Sequence, residues 1–220
     1  MIRLTQNVKI IALAAATLVG FATQHGQAHA ANLKTTTVAG GCFWCVEHDL
    51  EKLPGVTNAV SGFTGGKIAN PTYKQVTKGN SGHVEAVQIT YDADKLSYGD
   101  LLNTFFRSVD PTDPGGQFCD RGPTYTTAIF VNSPAERKIA EAEKAKAEAS
   151  LNHKVVTPIL DASTFYAADD YHQDYAKSSK VILTRFGPLS KAKAYKRYRT
   201  SCGRDAKIKQ LWGNDAAFIN

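Results

Sequence analysis

The chain has 220 residues, 43% of them hydrophobic and 21% charged, with a formal net charge of +6. That length supports one domain with a substantial core. The ordinary composition excludes a disordered or fibrous chain, and four cysteines in such a length exclude a scaffold built from disulfides.

Residues 1–30 are a different material. Arg3 and Lys9 precede an apolar run at residues 10–22, and Ala28-His29-Ala30 follows. A charged region, an apolar region and then small residues make up a secretory signal peptide, and the run is short for a membrane span of about 20 residues. We expect cleavage after Ala30 and delivery to a bacterial periplasm or beyond, with no stable membrane association afterwards. The net charge falls from +6 to +4 as Arg3 and Lys9 leave.

The remaining elements follow in order. Residues 35–40 read as a short β-branched strand and residues 42–53 as a helix with Val46, Leu50 and Leu53 on one face, ended by Pro54-Gly55. Residues 56–66 read as a strand running into a Gly turn, and residues 70–82 as a loop. Residues 83–92 alternate apolar and polar, so they read as a strand with one face wet. Residues 97–109 form a helix burying Leu101, Leu102, Phe105 and Phe106, and residues 110–124 a Pro/Gly-rich loop. A strand at residues 125–131 precedes a helix with Ser133 as N-cap, Pro134 in the first position and Glu136 completing a capping box. Residues 154–161 read as a further strand. Beyond Ser179 the pattern fades into a basic tail: residues 177–209 carry eleven Lys or Arg against the single acid Asp205. A solvated tail accounts for that charge, and an exported protein has no duplex nucleic acid to meet.

The order β-α-β-β-α-β, followed by α, β and a tail, is that of the split βαβ unit. We therefore expect an α+β, two-layer ferredoxin-like domain over residues 31–220, with an added helix and strand and an irregular C-terminal tail over residues 180–220.

The chemistry centres on Gly41-Cys42-Phe43-Trp44-Cys45. A structural zinc site needs a second close pair of ligands, and Cys119 and Cys202 stand apart from each other and from the pair. A C-x-x-C at a strand-to-helix junction suits a thioredoxin-like exchange protein, since a helix N terminus favours the thiolate, but the order of elements fits that fold poorly. A third reading uses the neighbours. Phe43 and Trp44 offer aromatic walls that hold methyl-sulfur groups well. Glu85, on an alternating strand, is a candidate general acid if burial raises its pKa. Tyr73 and Tyr125, beside loops, can donate hydrogen bonds to an oxygen.

Taken collinearly, residues 41–44, 70–73, 82–92, 105–130 and 171–175 resemble the A-type peptide methionine sulfoxide reductase family from about Gly40 to Tyr175. The resemblance implies a ferredoxin-like domain that reduces the S epimer of methionine sulfoxide in oxidised proteins. It implies recycling by a thioredoxin-type reductant and no metal or organic cofactor. By position it implies Cys42 as nucleophile, Phe43 and Trp44 as the methyl pocket, Glu85 as the acid and Tyr73 and Tyr125 as hydrogen-bond donors. Asp120 matches the family's acidic loop residue, while His172 reads as structural. The chain departs from the family pattern in having Cys45 where Gly is common and Thr-Tyr-Thr-Thr around Tyr125. For the thiol that resolves a Cys42 sulfenic acid, Cys202 in the tail is the first choice, with Cys45 as an alternative or relay and Cys119 as a further alternative. The competing function is an exported thiol–disulfide exchange protein using Cys42 and Cys45.

Overall fold

In the computed structural model, residues 31–185 and 187–219 are described; the leader expected over residues 1–30 lies outside them. The β-branched segment forms β1 (Leu33–Gly40), and the chain turns through Gly41 into α1 (Phe43–Leu50). β2 (Val56–Thr64) follows the Pro-Gly break. The segment read as a loop contains a short helix, α2 (Tyr73–Thr77). Its start is a capping box, in which Thr72 accepts from the Gln75 amide while Gln75 bonds back to the Thr72 amide.

β3 (Val84–Asp92) pairs antiparallel with both β1 and β2. Glu85, Val87, Ile89 and Tyr91 share its helix-covered face and are buried. The opposite face is wet only in part, because Ala86 packs with Phe165 and Phe130 while Gln88 and Thr90 stay half exposed. α3 (Tyr98–Phe106) buries Leu101, Leu102, Phe105 and Phe106 completely, as expected.

The Pro/Gly-rich loop is a tight hairpin. β4 (Gly116–Gln117) pairs with β5 (Asp120–Arg121), leaving Phe118 and Cys119 at its tip. A 3-10 turn at Pro123–Tyr125 leads into β6 (Thr127–Val131), then α4 (Pro134–Leu151) and β7 (Ile159–Asp161), which runs parallel to β6. Ser133 caps α4 as expected. The Glu136 carboxylate, however, accepts from Asn132 rather than closing the box on Ser133. With β8 (Tyr166–Ala167), the described strands of the main sheet run β7-β6-β1-β3-β2-β8. The central order β6-β1-β3-β2, antiparallel throughout, is the split βαβ arrangement.

The expected irregular tail is instead ordered structure. β9 (Val181–Thr184) and β10 (Gly187–Ser190) form a hairpin, followed by α5 (Lys191–Ser201) and α6 (Arg204–Trp212). The helical stripe does not read as apolar, because its buried members are Lys191, Tyr195, Arg199 and Arg204 as well as Ile208 and Trp212. Each polar head has a partner, although Arg204 Nε makes no hydrogen bond and reaches only an ion pair with Asp49 at 3.8 Å. Arg199 donates from one nitrogen to both carboxylate oxygens of Asp49, at 2.9 and 2.8 Å, and also bonds Asp205 and the Phe218 carbonyl. Arg204 donates to the Ser108 carbonyl. Among the described residues no helix is long and apolar enough to cross a membrane.

Asp49 and Arg199 are both buried, so removing one partner strands the other's charge. Asp49→Ala should therefore cost about 3–5 kcal/mol, measured by urea denaturation of residues 31–220. A loss below about 1 kcal/mol would show that the pair does not anchor α5.

Candidate active site

The C-x-x-C segment sits at the start of α1. Gly41 has φ +82°, and a Cβ there would meet the Gln117 Cβ at 2.5 Å, so the turn into α1 requires glycine. Cys42 is the N-cap, with non-helical φ and ψ of −53° and 117°. Phe43 and Trp44 follow within the first helical turn.

Glu85 faces that turn from β3. The Phe43 amide donates to Glu85 Oε2 at 3.0 Å, which gives one orphan donor of the helix N terminus a carboxyl partner. Glu85 is 1% exposed. Burial pushes its carboxyl up to about 8, against the pull of the Phe43 amide, so it holds a proton at neutral pH. α2 carries Tyr73 to the same place, and the 3-10 turn carries Tyr125. Thr124 ties these segments together by donating to the Val76 carbonyl, and the two tyrosine side chains hydrogen-bond each other. Burial and then the Glu85 carboxyl push both phenols up. Both stay protonated and act as donors.

Cys42, Phe43, Trp44, Tyr73, Glu85, Asp120 and Tyr125 line one cavity of about 130 Å³. The structure thus brings together every residue expected in the pocket and adds Tyr198 of α5. The Tyr198 hydroxyl donates to the Asp120 carboxylate, closing one wall. No motif marked Tyr198; only the docking of α5 brings it here.

The aromatic wall extends further than Phe43 and Trp44. His172 stacks on Tyr73 at 4.3 Å between ring centres and on Trp44 at 5.7 Å, while Tyr175 lies flat on Trp44 at 3.7 Å. This segment is pinned by Gln173, whose side chain bonds both the amide and the carbonyl of Ser61, and by the Asp174 amide donating to Glu47. Burial lowers His172 from its usual value, so its ring is neutral and packs as an aromatic.

The cysteines separate into two pairs. Cys42 and Cys45 are thiols, 6% and 2% exposed, and their side chains hydrogen-bond each other. Burial, then the Cys45 thiol and the acids Glu85 and Asp120, push Cys42 well up, so desolvation outweighs the helix N terminus expected to favour its thiolate. The hydrogen bond with Cys42 holds Cys45 down. Cys119 and Cys202 form a disulfide with a Cα–Cα separation of 5.1 Å. Cys202 is therefore not a mobile tail thiol: it ends α5 and is bonded to the tip of the β4–β5 hairpin, where Cys119 is exposed. Among the described residues, one group of carboxylates, Glu47, Glu51 and Asp174, is close enough to share a cation. Lys177 already pairs with two of them.

Fold and site together define a ferredoxin-like domain whose pocket aims a cysteine and a protonated carboxyl at one small volume. The family model "Peptide methionine sulfoxide reductase" matches residues 34–214, and the chain belongs to that family. It is 49% identical over 206 residues to peptide methionine sulfoxide reductase MsrA 2 of Caulobacter vibrioides, covering 93% of this chain and 98% of that one. It is 43% identical over 180 residues to the MsrA of Bacillus pumilus, covering 81% and 94%. Among solved structures it resembles reduced Mxr1 of Saccharomyces cerevisiae, with a TM-score of 0.62 and 30% identity over 65% of this chain and 83% of that one. It also resembles methionine sulfoxide reductase A of Corynebacterium diphtheriae, with a TM-score of 0.58 and 30% identity over 65% and 73%.

A Glu with a raised folded-state pKa stabilises the fold fully below its unfolded value of about 4.5 and loses that contribution as pH rises through about 8. Glu85→Gln should therefore flatten the fall in thermal stability between about pH 5 and pH 9. Parallel melting-temperature profiles for the two proteins would contradict a buried protonated Glu85.

Proposed function

We infer that this protein reduces the S epimer of methionine sulfoxide in oxidised proteins and peptides. The observation that carries this reading is the convergence of Cys42, the protonated Glu85 and the hydroxyls of Tyr73 and Tyr125 on one aromatic-walled cavity. Thiol–disulfide exchange alone has no use for an acid and two phenols directed at one point.

In this reading the sulfoxide methyl group rests against Phe43 and Trp44, where sulfur–aromatic contact is favourable. The oxygen accepts hydrogen bonds from Tyr73, Tyr125 and Glu85. As Glu85 transfers its proton to that oxygen, positive charge grows on the substrate sulfur and stabilises the Cys42 thiolate beside it. The thiol proton returns to the Glu85 carboxylate. The thiolate attacks the substrate sulfur and forms a sulfur–sulfur bond; the hydroxyl then passes to the Cys42 sulfur as the substrate's sulfur–oxygen bond and the new sulfur–sulfur bond break. Methionine leaves as the thioether and Cys42 remains as sulfenic acid.

The geometry favours Cys45 as the thiol that condenses with it, releasing water and forming a Cys42–Cys45 disulfide. Helical placement of both cysteines would have set their sulfurs poorly, but Cys42 is an N-cap outside the helix and already hydrogen-bonds Cys45. Both sulfurs are too deeply buried for a protein reductant. We propose that a thioredoxin-type dithiol reduces the exposed Cys119–Cys202 disulfide and that these thiols then exchange with Cys42–Cys45. In place of the direct resolving role expected for Cys202, this assigns it to the second step. No bound metal or organic cofactor enters any step.

We further propose export, with the leader cleaved after Ala30. The compact unit that begins at Ala31 supports this boundary. Intact mass of the protein from a periplasmic fraction should match residues 31–220, and a full-length mass would reject cleavage.

The activity test uses residues 31–220 with a peptide carrying either the S- or the R-sulfoxide and dithiothreitol as reductant. Only the S form should be reduced, and Cys42→Ser should be inactive. Glu85→Gln should lower kcat/KM by about 10²-fold or more and abolish the decline in rate above about pH 8 that loss of the Glu85 proton produces. Reduction of neither epimer would sink the assignment.

After one turnover without reductant, starting from fully reduced protein, disulfide mapping should trap Cys42–Cys45 in a Cys119→Ser/Cys202→Ser variant. That variant should keep activity with dithiothreitol and lose it with a thioredoxin-type protein. A Cys42–Cys202 bond in the parent, with Cys45→Ser fully active, would return the resolving role to Cys202.

A further inference from the structure

A second cavity, of about 530 Å³, adjoins the catalytic pocket, and Trp44 and Tyr198 line both. Its other walls include Tyr175, Leu189 of β10, Ala194 and Tyr195 of α5, the Cys119–Cys202 disulfide and, on one side, Arg185. All but Trp44 lie outside the four central strands and the helices packed on them. The walls are tethered rather than free to collapse inward. Tyr198 is bonded to Asp120, the Tyr195 hydroxyl accepts from Arg199 at 2.9 Å, and Tyr175 is stacked on Trp44. An open cleft with four aromatic walls held in this way is prepared for an apolar occupant, because the ordering of its walls is already done.

The catalytic pocket is small and takes the oxidised side chain alone. In a protein substrate the residues flanking that side chain must leave the pocket along its rim. We propose that the adjoining cleft is a peptide subsite that receives an apolar or aromatic side chain next to the oxidised methionine. The proposal rests on the sulfoxide-reductase reading. It adds that α5 and the β9–β10 hairpin select among oxidised sites, and that an isolated amino acid makes no use of them.

The test compares four S-sulfoxide substrates with residues 31–220 and dithiothreitol: N-acetyl-methionine sulfoxide, and peptides in which both neighbours of the sulfoxide are Phe, Gly or Glu. The Phe-flanked peptide should exceed the Gly-flanked one in kcat/KM by about tenfold, the order expected when a hydrophobic pocket is filled; a Glu-flanked peptide as good as the Phe-flanked one would overturn the apolar occupant, since Arg185 would then be the recognising group. Ala194→Phe fills the cleft from a half-exposed helical position and should abolish the Phe preference while leaving N-acetyl-methionine sulfoxide unchanged. Leu189→Asp, a second variant that charges the same wall, should do the same.

Absence of any preference in the parent protein, or its survival in both variants, would overturn the subsite. So would variants that slow recycling by a thioredoxin-type protein yet keep the peptide preference with dithiothreitol, since the cleft would then belong to the reductant. Failure of the parent to reduce any of the four would instead overturn the reaction itself.

Discussion

The hydrogen bond from the Phe43 amide to the Glu85 carboxyl is the contact on which the site depends. It joins the first turn of α1 to β3, one of the two central strands of the sheet, and both candidate reacting groups are positioned by it. An orphan amide of a helix N terminus needs an acceptor, and a carboxyl buried on the apolar face of β3 needs a donor. Each satisfies the other. The cost of burying Glu85 appears as a raised pKa, which leaves it a proton to deliver. The same burial raises Cys42, so the empty pocket holds a thiol beside an acid. In the proposed reaction, reactivity then waits for a substrate that can take a proton and develop positive charge.

Around that contact the molecule is built in shells of different chemistry. The inner shell is the split βαβ core, filled by aliphatic and aromatic side chains such as Val87, Ile89, Leu101 and Phe105. The outer shell, from the segment at Tyr171–Tyr175 through α6, is attached by polar contacts that are themselves buried: Gln173 to Ser61, Asp174 to Glu47 and Arg199 to Asp49. Such contacts are specific in geometry even where their net contribution to stability is modest. Here they set His172, Tyr175 and Tyr198 against the pocket. The Cys119–Cys202 disulfide joins the same two segments as the Tyr198–Asp120 hydrogen bond, so the surface sulfur pair and the pocket wall share one attachment.

Legibility in the sequence varied with the kind of force involved. Hydrophobic periodicity was enough for α3 and for β3, but alternation alone left open which face carried Glu85; the packing of the helices put it with Val87, Ile89 and Tyr91. Thr72 and Gln75 spelled a capping box that reads as a helix start, although Gly and Pro around it suggested a loop. The C-terminal helices were illegible for a physical reason. Their buried stripe is made of Lys191, Tyr195, Arg199 and Arg204, and whether an arginine is buried depends on a carboxylate that lies 150 residues away in sequence.

By itself the sequence determined the order of the core elements and the strand-to-helix junction at Cys42, because these follow from local pattern; it offered Phe43, Trp44, Tyr73, Glu85 and Tyr125 as candidates, and resemblance to the family's motifs joined them with Asp120 into one expected site. Only the tertiary structure decided which cysteines pair, that Cys45 rather than Cys202 lies beside Cys42, and that Tyr198 closes the pocket. Those outcomes turn on distances between segments far apart in the chain, and such distances are set by the packing of α5 against α1 and the β4–β5 hairpin rather than by any neighbouring residue.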